Sequence, residues 1–194
     1  LARLPGVKRI WQVDRTSLPD YEMSSGGAAP DLATAIAMTG ASIAQSELGI
    51  TGAGIKVAVM DTGIDYDHAD LGGDGVDRSN STVFPTARVV TGWDFVGDDF
   101  DFDQTPVPDA YPDDCNGHGT HVSGIVGANG EVFGVAPDVT FGAYRVFGCD
   151  GSTTSDIMLA AMERAFADGM QVLNMSIGSR AQWPQYPTAA ASSL

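Results

Sequence analysis

Ile55-Lys56-Val57-Ala58-Val59-Met60-Asp61-Thr62-Gly63 and, further on, Gly117-His118-Gly119-Thr120-His121-Val122 decide how this chain folds. From Ile55 to Met60 every residue but Lys56 is apolar, and several are β-branched, the pattern of a strand buried on both faces. The run ends on a carboxylate followed by Thr62-Gly63. In an open α/β sheet, chemistry collects at the carboxyl ends of parallel strands, which makes Asp61 a candidate functional residue. His118 follows Asn116-Gly117 and opens an apolar, glycine-tolerant, helix-like run from Val122 to Ala128. Near a helix N-terminus the dipole disfavours imidazolium, whereas a nearby carboxylate favours it. A histidine balanced between the two suits general-base work near neutral pH.

Asp61-Thr62-Gly63-Ile64-Asp65 followed by His118-Gly119-Thr120-His121-Val122 resembles the Asp and His blocks of the subtilisin-like serine proteases. Asn174-Met175-Ser176-Ile177-Gly178 is similar to that family's substrate-pairing strand. The resemblance runs from about Thr39 to Gly178, and three motifs in one order are far more specific than any one of them. It implies an α/β fold of three layers, a mostly parallel sheet flanked by helices, here truncated. It also implies a serine-type endopeptidase working through an Asp-His-Ser triad on protein or peptide substrates. Asp61 would orient and charge-stabilise the imidazole, and His118 would take the nucleophile's proton and return it to the leaving amine.

Composition agrees. A chain of 194 residues at 43% hydrophobic is large enough for one well-formed core, with room for an appendage. No apolar run approaches the length needed to span a bilayer as a helix, about 18 residues. The net charge of −15 argues against nucleic acid or an anionic membrane surface as partner. The charge is uneven: residues 1 to 50 carry five acids and four bases, the remainder twenty and six. Few lysines and many aspartates suit a secreted, extracellular enzyme. The first residue is Leu1, with no signal-peptide pattern behind it, so an export signal is expected outside these residues.

Along the chain, residues 1–20 stand apart from the motif-bearing part. Leu4 to Val13 reads as a turn and a short amphipathic strand, and resembles the C-terminal tail of the inhibitory propeptide that precedes many subtilases. Residues 21–40, rich in small residues around Ser24 to Pro30, read as a linker in which maturation would cut. Residues 41–194 are then the N-terminal part of the catalytic domain. Ala41 to Leu48 has helical spacing, with Ile43, Ala44 and Leu48 on one side. Arg88–Val96, Val139–Val146 and Val172–Ser176 are strand candidates. Ser155–Asp168 is a helix, capped by Thr154 or Ser155, with Ile157, Ala160, Ala161, Met162, Ala165 and Phe166 facing inward. Strands alternating with helices signal a parallel sheet covered by helices.

An extended peptide can pair with an exposed strand edge, its backbone supplying hydrogen bonds and alternate side chains filling pockets. The resemblance places Ser176, Ile177 and Gly178 on one such edge, and Gly151 and Ser152 where the facing edge falls. The run from Asp94 to Asp114 holds eight aspartates and no base, and reads as a solvated loop. A preference for basic residues near the cleaved bond is a further hypothesis attached to it.

His121 lies near the same helix face as His118, and Cys115 with the cluster Asp65, Asp67, His68 and Asp70 could be drafted in, so a zinc or calcium site is conceivable from residue types alone. The zinc-protease glutamate and the calcium-loop spacing are missing, and the family's second histidine packs, so no metal or other cofactor is expected. Cys115 and Cys149 are the two cysteines. Some relatives bridge equivalent loops, and the resemblance implies a Cys115–Cys149 disulfide, in keeping with an oxidising compartment.

The family's serine block, and the block whose asparagine donates to the oxyanion, are absent from these residues. Ser192 and Ser193 lack the surrounding glycines. The 194 residues alone are therefore expected to be inert, the nucleophile lying past Leu194. Two other readings stand beside this one: a relative that binds peptides without cutting them, and a calcium-dependent structural module.

Overall fold

A computed structural model describes residues 4–18, 32–178 and 185–193. Its centre is the strand foreseen from Ile55 onward: β2 (Lys56–Asp61) is buried along every residue but the first. It runs parallel to β4 (Thr140–Arg145) on one side and to β6 (Val172–Asn174) on the other, and β3 (Val89–Asp94) joins β4. The order β3-β4-β2-β6 puts β2 inside an all-parallel sheet.

Alternation along β2 builds the two cores. Val57 and Val59 join Leu71, Phe141 and Val122 of α3 (His118–Gly127) on one face. Ala58 and Met60 join Tyr144 and the Met158, Ala161, Met162 and Ala165 stripe of α4 (Ser155–Ala167) on the other. A strand buried on both faces needs no polar alternation, which is why its sequence reads as one apolar run. The result is the expected three-layer arrangement of helix, parallel sheet and helix.

A second, two-stranded sheet pairs β1 (Arg15–Ser17) antiparallel with β5 (Ser152–Thr154). The segment before β1 is held by Tyr186, whose hydroxyl lies 3.2 Å from Gln12 O, 3.3 Å from Asp14 N and 3.0 Å from Ser155 Oγ. Tyr186 also meets the Trp11 ring edge-on at 5.9 Å and precedes the short α5 (Pro187–Ala191).

Several expectations are corrected in detail. Within the segment read as a linker, Leu32–Thr39 forms a helix, α1, with Ile36 buried; Ser24 to Pro30 lie outside the described residues. α2 (Ala41–Leu48) has the bounds expected but no buried face, with Ile43 53% and Leu48 67% exposed. It docks through polar contacts instead: Gln45 Nε2 donates to the carbonyls of Gly134 and Val135, each at 2.9 Å. In α4 the inward stripe includes Met158, while Phe166 is 86% exposed and Ala160 also faces out. Thr154 occupies the N-cap position of α4 without a side-chain cap bond. The strand read to Ser176 ends at Asn174.

Candidate active site

The carboxyl end of β2 meets the N-terminus of α3. Asp61 is the last residue of β2 and fully buried, and His118 is the first residue of α3 and 7% exposed. Their side chains, 57 residues apart in sequence, meet with His118 Nδ1 2.7 Å from Asp61 Oδ1. The amide of Thr62 also donates to Oδ1 at 2.8 Å. Burial pushes the Asp61 carboxyl up from its ordinary value, against the opposing hydrogen bond and charge of His118 and the Thr62 amide.

The start of α3 is capped by three different side chains, because its N-cap residue is Gly117, which has none to offer. His118 N donates to Asn116 Oδ1 (3.2 Å), Gly119 N to Thr62 Oγ1 (2.9 Å) and Thr120 N to Asp114 Oδ2 (2.9 Å). Asp114 further accepts from Thr62 Oγ1, Thr120 Oγ1 and the amides of Asn116 and Gly117. Gly119 lets helix and strand end touch: a Cβ there would lie 2.1 Å from Gly63 O and 3.1 Å from Asp61 Cβ. Thr62, Asp114 and Asn116 did not stand out in the sequence, although a carboxylate and an amide just before a helix-opening glycine are a capping signal.

The loop carrying Asn116 is tied to the loop before β5. Cys115 and Cys149 form a disulfide, S–S 2.03 Å, and Asn116 Nδ2 donates to Cys149 O at 2.8 Å. Beneath them lies Arg145, 1% exposed, its guanidinium ion-paired with Asp94 (3.2 Å) and Asp98 (2.8 Å) and 3.0 Å from Cys115 Sγ.

The residues expected to meet substrate fall in two places. Ser152 lies in β5, opposite Ser17, with Gly151 just before it. Ile177 and Gly178 follow β6 and line a cavity of about 200 Å³ with Thr16, Ser155, Met158, Met162, Met175 and Tyr186. Ser176 Oγ accepts from Asn174 Nδ2 at 3.0 Å. The hydroxyls of Ser192 and Ser193 donate back to Thr188 and Ala189 carbonyls.

Three of the residues considered for a metal bond within the protein. Asp67 pairs with Arg78 at 3.0 Å, His68 Nδ1 accepts from Asp70 N, and Asp70 takes the amides of Glu131 and Val132. His121, expected to pack, is exposed on α3. Among the described residues, the one trio of metal-ligand side chains within mutual reach is Asp98, Cys115 and Cys149, whose sulfurs are already bonded to each other.

Residues 52–193 match the model of the Subtilase family, peptidase S8. The chain is a subtilase. Minor extracellular protease Vpr of Bacillus subtilis is 39% identical over 181 residues, 93% of this chain and 21% of that protein. Alkaline serine exoprotease A of Vibrio alginolyticus is 36% identical over 129 residues, covering 66% of this subtilase and 19% of the relative. Subtilisin DY of Bacillus licheniformis is 36% identical over 133 residues, covering 67% and 39%. The subtilase chain thus spans about a fifth to two fifths of the length of these relatives. Among its described residues no helix is long and apolar enough to cross a membrane.

Proposed function

We propose that the whole protein is a secreted serine endopeptidase in which Asp61 and His118 are two members of an Asp-His-Ser triad. The observation that carries this reading is the 2.7 Å contact between His118 Nδ1 and the buried Asp61 carboxylate. Such a bond fixes the imidazole tautomer with its proton on Nδ1, so that Nε2 accepts the hydroxyl proton as the serine attacks the scissile carbonyl. The imidazolium then stands beside Asp61, which stabilises it, and Nε2 returns the proton to the leaving amine as the acyl-enzyme forms. The serine and the oxyanion asparagine are assigned to the remaining length of the protein, and the 194 residues alone are inactive.

Substrate adds to β5 as an antiparallel strand, with Gly151, Ser152 and Ser176 to Gly178 along its path. Residues 1–20 are read as the tail of an inhibitory propeptide lying on that path. The β1–β5 pairing and the buried position of Thr16, beside Ile177 and Gly178, support this. The extracellular setting is supported by the relative named an extracellular protease and by the disulfide. The partners are protein substrates and the propeptide, with no nucleic acid, membrane or cofactor.

The test is turnover of a casein or peptide substrate by the full-length protein. Asp61→Asn and His118→Ala are expected to lower kcat about 10⁴-fold and 10⁶-fold with KM little changed, losses of the size found when the corresponding residues are removed from a subtilisin. Undiminished turnover by His118→Ala would overturn the assignment. Binding of peptides without cleavage by the wild type would favour the alternative of a non-catalytic relative.

A further inference from the structure

The acidic run that reads as a solvated loop is, in part, fastened over the start of β5. Phe100 is 3% exposed, and Cys149 N donates to Asp98 O at 2.9 Å. Two glycines allow the approach: a Cβ on Gly148 would lie 2.5 Å from Phe100 O, and one on Gly151 would lie 3.1 Å from Asp101 Oδ1. Asp101 is thereby aimed across the strand. Its Oδ1 accepts from Ser152 Oγ at 2.7 Å and from the Phe102 amide at 2.7 Å. These bonds, the Ser152 hydroxyl first, hold its carboxyl below the usual range, so it stays ionised at neutral pH.

One cation is seated there. Arg15, on β1 and opposite Thr154 in the antiparallel register, donates from Nη2 to Asp101 Oδ1 at 3.3 Å. Its guanidinium also lies 5.9 Å from the centroid of the Phe102 ring. A carboxylate held by fixed donors and flanked by an aromatic face is a recognition element for a planar cation. Arg15 is on the one segment of the described chain that pairs with β5, the same edge assigned above to substrate.

We propose that Asp101 and Phe102 form a subsite for an arginine side chain of a peptide lying antiparallel on β5, at the residue facing Thr154, and that Arg15 fills this subsite in the present structure. The proposal rests on the reading of β5 as the substrate edge. It turns that reading into a specificity: substrates carrying arginine at this one position are preferred, and the N-terminal segment holds its place partly by presenting the same group. Arg15 and Asp101 are 52% and 39% exposed, so the pair selects among peptides rather than anchoring them.

The experiment uses the full-length protein and a peptide series in which arginine, or its neutral isostere citrulline, is walked through the positions upstream of one scissile bond. The arginine-to-citrulline ratio of kcat/KM is expected to peak at a single position at about two- to fivefold, the size of a half-exposed charge pair. Asp101→Asn brings that ratio to unity, and Asp101→Arg shifts the preference to glutamate. A ratio that Asp101→Asn leaves unchanged overturns the subsite. Should the wild type cut no peptide, the protease reading fails by itself, and the subsite is then judged by hydrogen exchange on the same full-length protein. There, Arg15→Glu is expected to lower hydrogen-exchange protection of the β1–β5 ladder about two- to fivefold, and adding Asp101→Arg to restore it. Failure of the charge swap to restore protection overturns the proposal in that case.

Discussion

The hydroxyl of Thr62 donates to Asp114 Oδ1 at 2.9 Å, across 52 residues of sequence, while accepting the Gly119 amide, also at 2.9 Å. One side chain thus joins the strand that carries Asp61 to the helix that carries His118. The distance between those two groups is set by this junction rather than by their own hydrogen bond alone.

Removing the hydroxyl tests the junction. Thr62→Val leaves the Gly119 amide without its acceptor and is expected to lower unfolding free energy by about 2 kcal/mol. Thr62→Ser retains the oxygen and should recover most of the loss. Urea denaturation of the three proteins measures both; equal stabilities would show that Thr62 ties nothing together.

Gly119→Ala inserts a methyl where only 2.1 Å separates the site from Gly63 O. Helix and strand end must part, so a cost of about 1–3 kcal/mol is expected, together with lengthening of the His118–Asp61 bond. The low-field imidazole Nδ1–H resonance of His118 should be lost or move upfield in the variant. An unchanged resonance would mean that the contact tolerates a side chain.

Asp113 carries a pH dependence. It is 7% exposed, and burial pushes its carboxyl up from 3.8 to about 6 despite the Ser81 amide bound to it. A carboxyl raised in the folded state favours the fold fully below its unfolded value, near 4, and loses that contribution as pH rises through about 6. The loss is on the order of 2–3 kcal/mol by pH 7.5. Asp113→Asn should flatten the wild-type decline in unfolding free energy between pH 4 and 7. Parallel pH profiles for the two proteins would contradict this.

Reduction of the disulfide frees a 34-residue loop, and the chain-entropy account puts the loss at roughly 4 kcal/mol. Dithiothreitol or a Cys115→Ala, Cys149→Ala pair should therefore lower the melting temperature markedly. Scanning calorimetry with and without reductant measures it, and coincident curves would exclude a stabilising role.

What could be read beforehand was whatever repeats with the period of an element or sits in a short motif. β2 was legible because burial on both faces leaves an apolar run with no alternation, and His118 because it stands in a short motif that opens a helix-like run. The stripe of α4 was legible except for its phase: Met158 and Phe166 flank the inward direction, and periodicity alone does not say which of two large apolar residues turns away. α2 misled for a related reason, since its spacing fits a buried face although Gln45 docks it. Thr62 and Asp114 were not legible as a pair, because a hydrogen bond spanning half a hundred residues leaves no local pattern. The acidic run looked uniform, yet Asp101 is bonded to Ser152 of β5 and Asp98 to Arg145 of β4, while others face water; composition cannot separate them.

The position of β2 inside the sheet has a consequence for biosynthesis. Both neighbours of this strand, β4 and β6, come later in the chain. While the polypeptide emerges from the ribosome, the aspartate at the end of β2 has no ladder to hold it in place until residues near 140 have been made. Its meeting with the imidazole therefore waits on long-range assembly, which is intrinsically slow. The pairing of strand end and helix start is thus among the later events of synthesis, whatever the speed at which the earlier segments emerge.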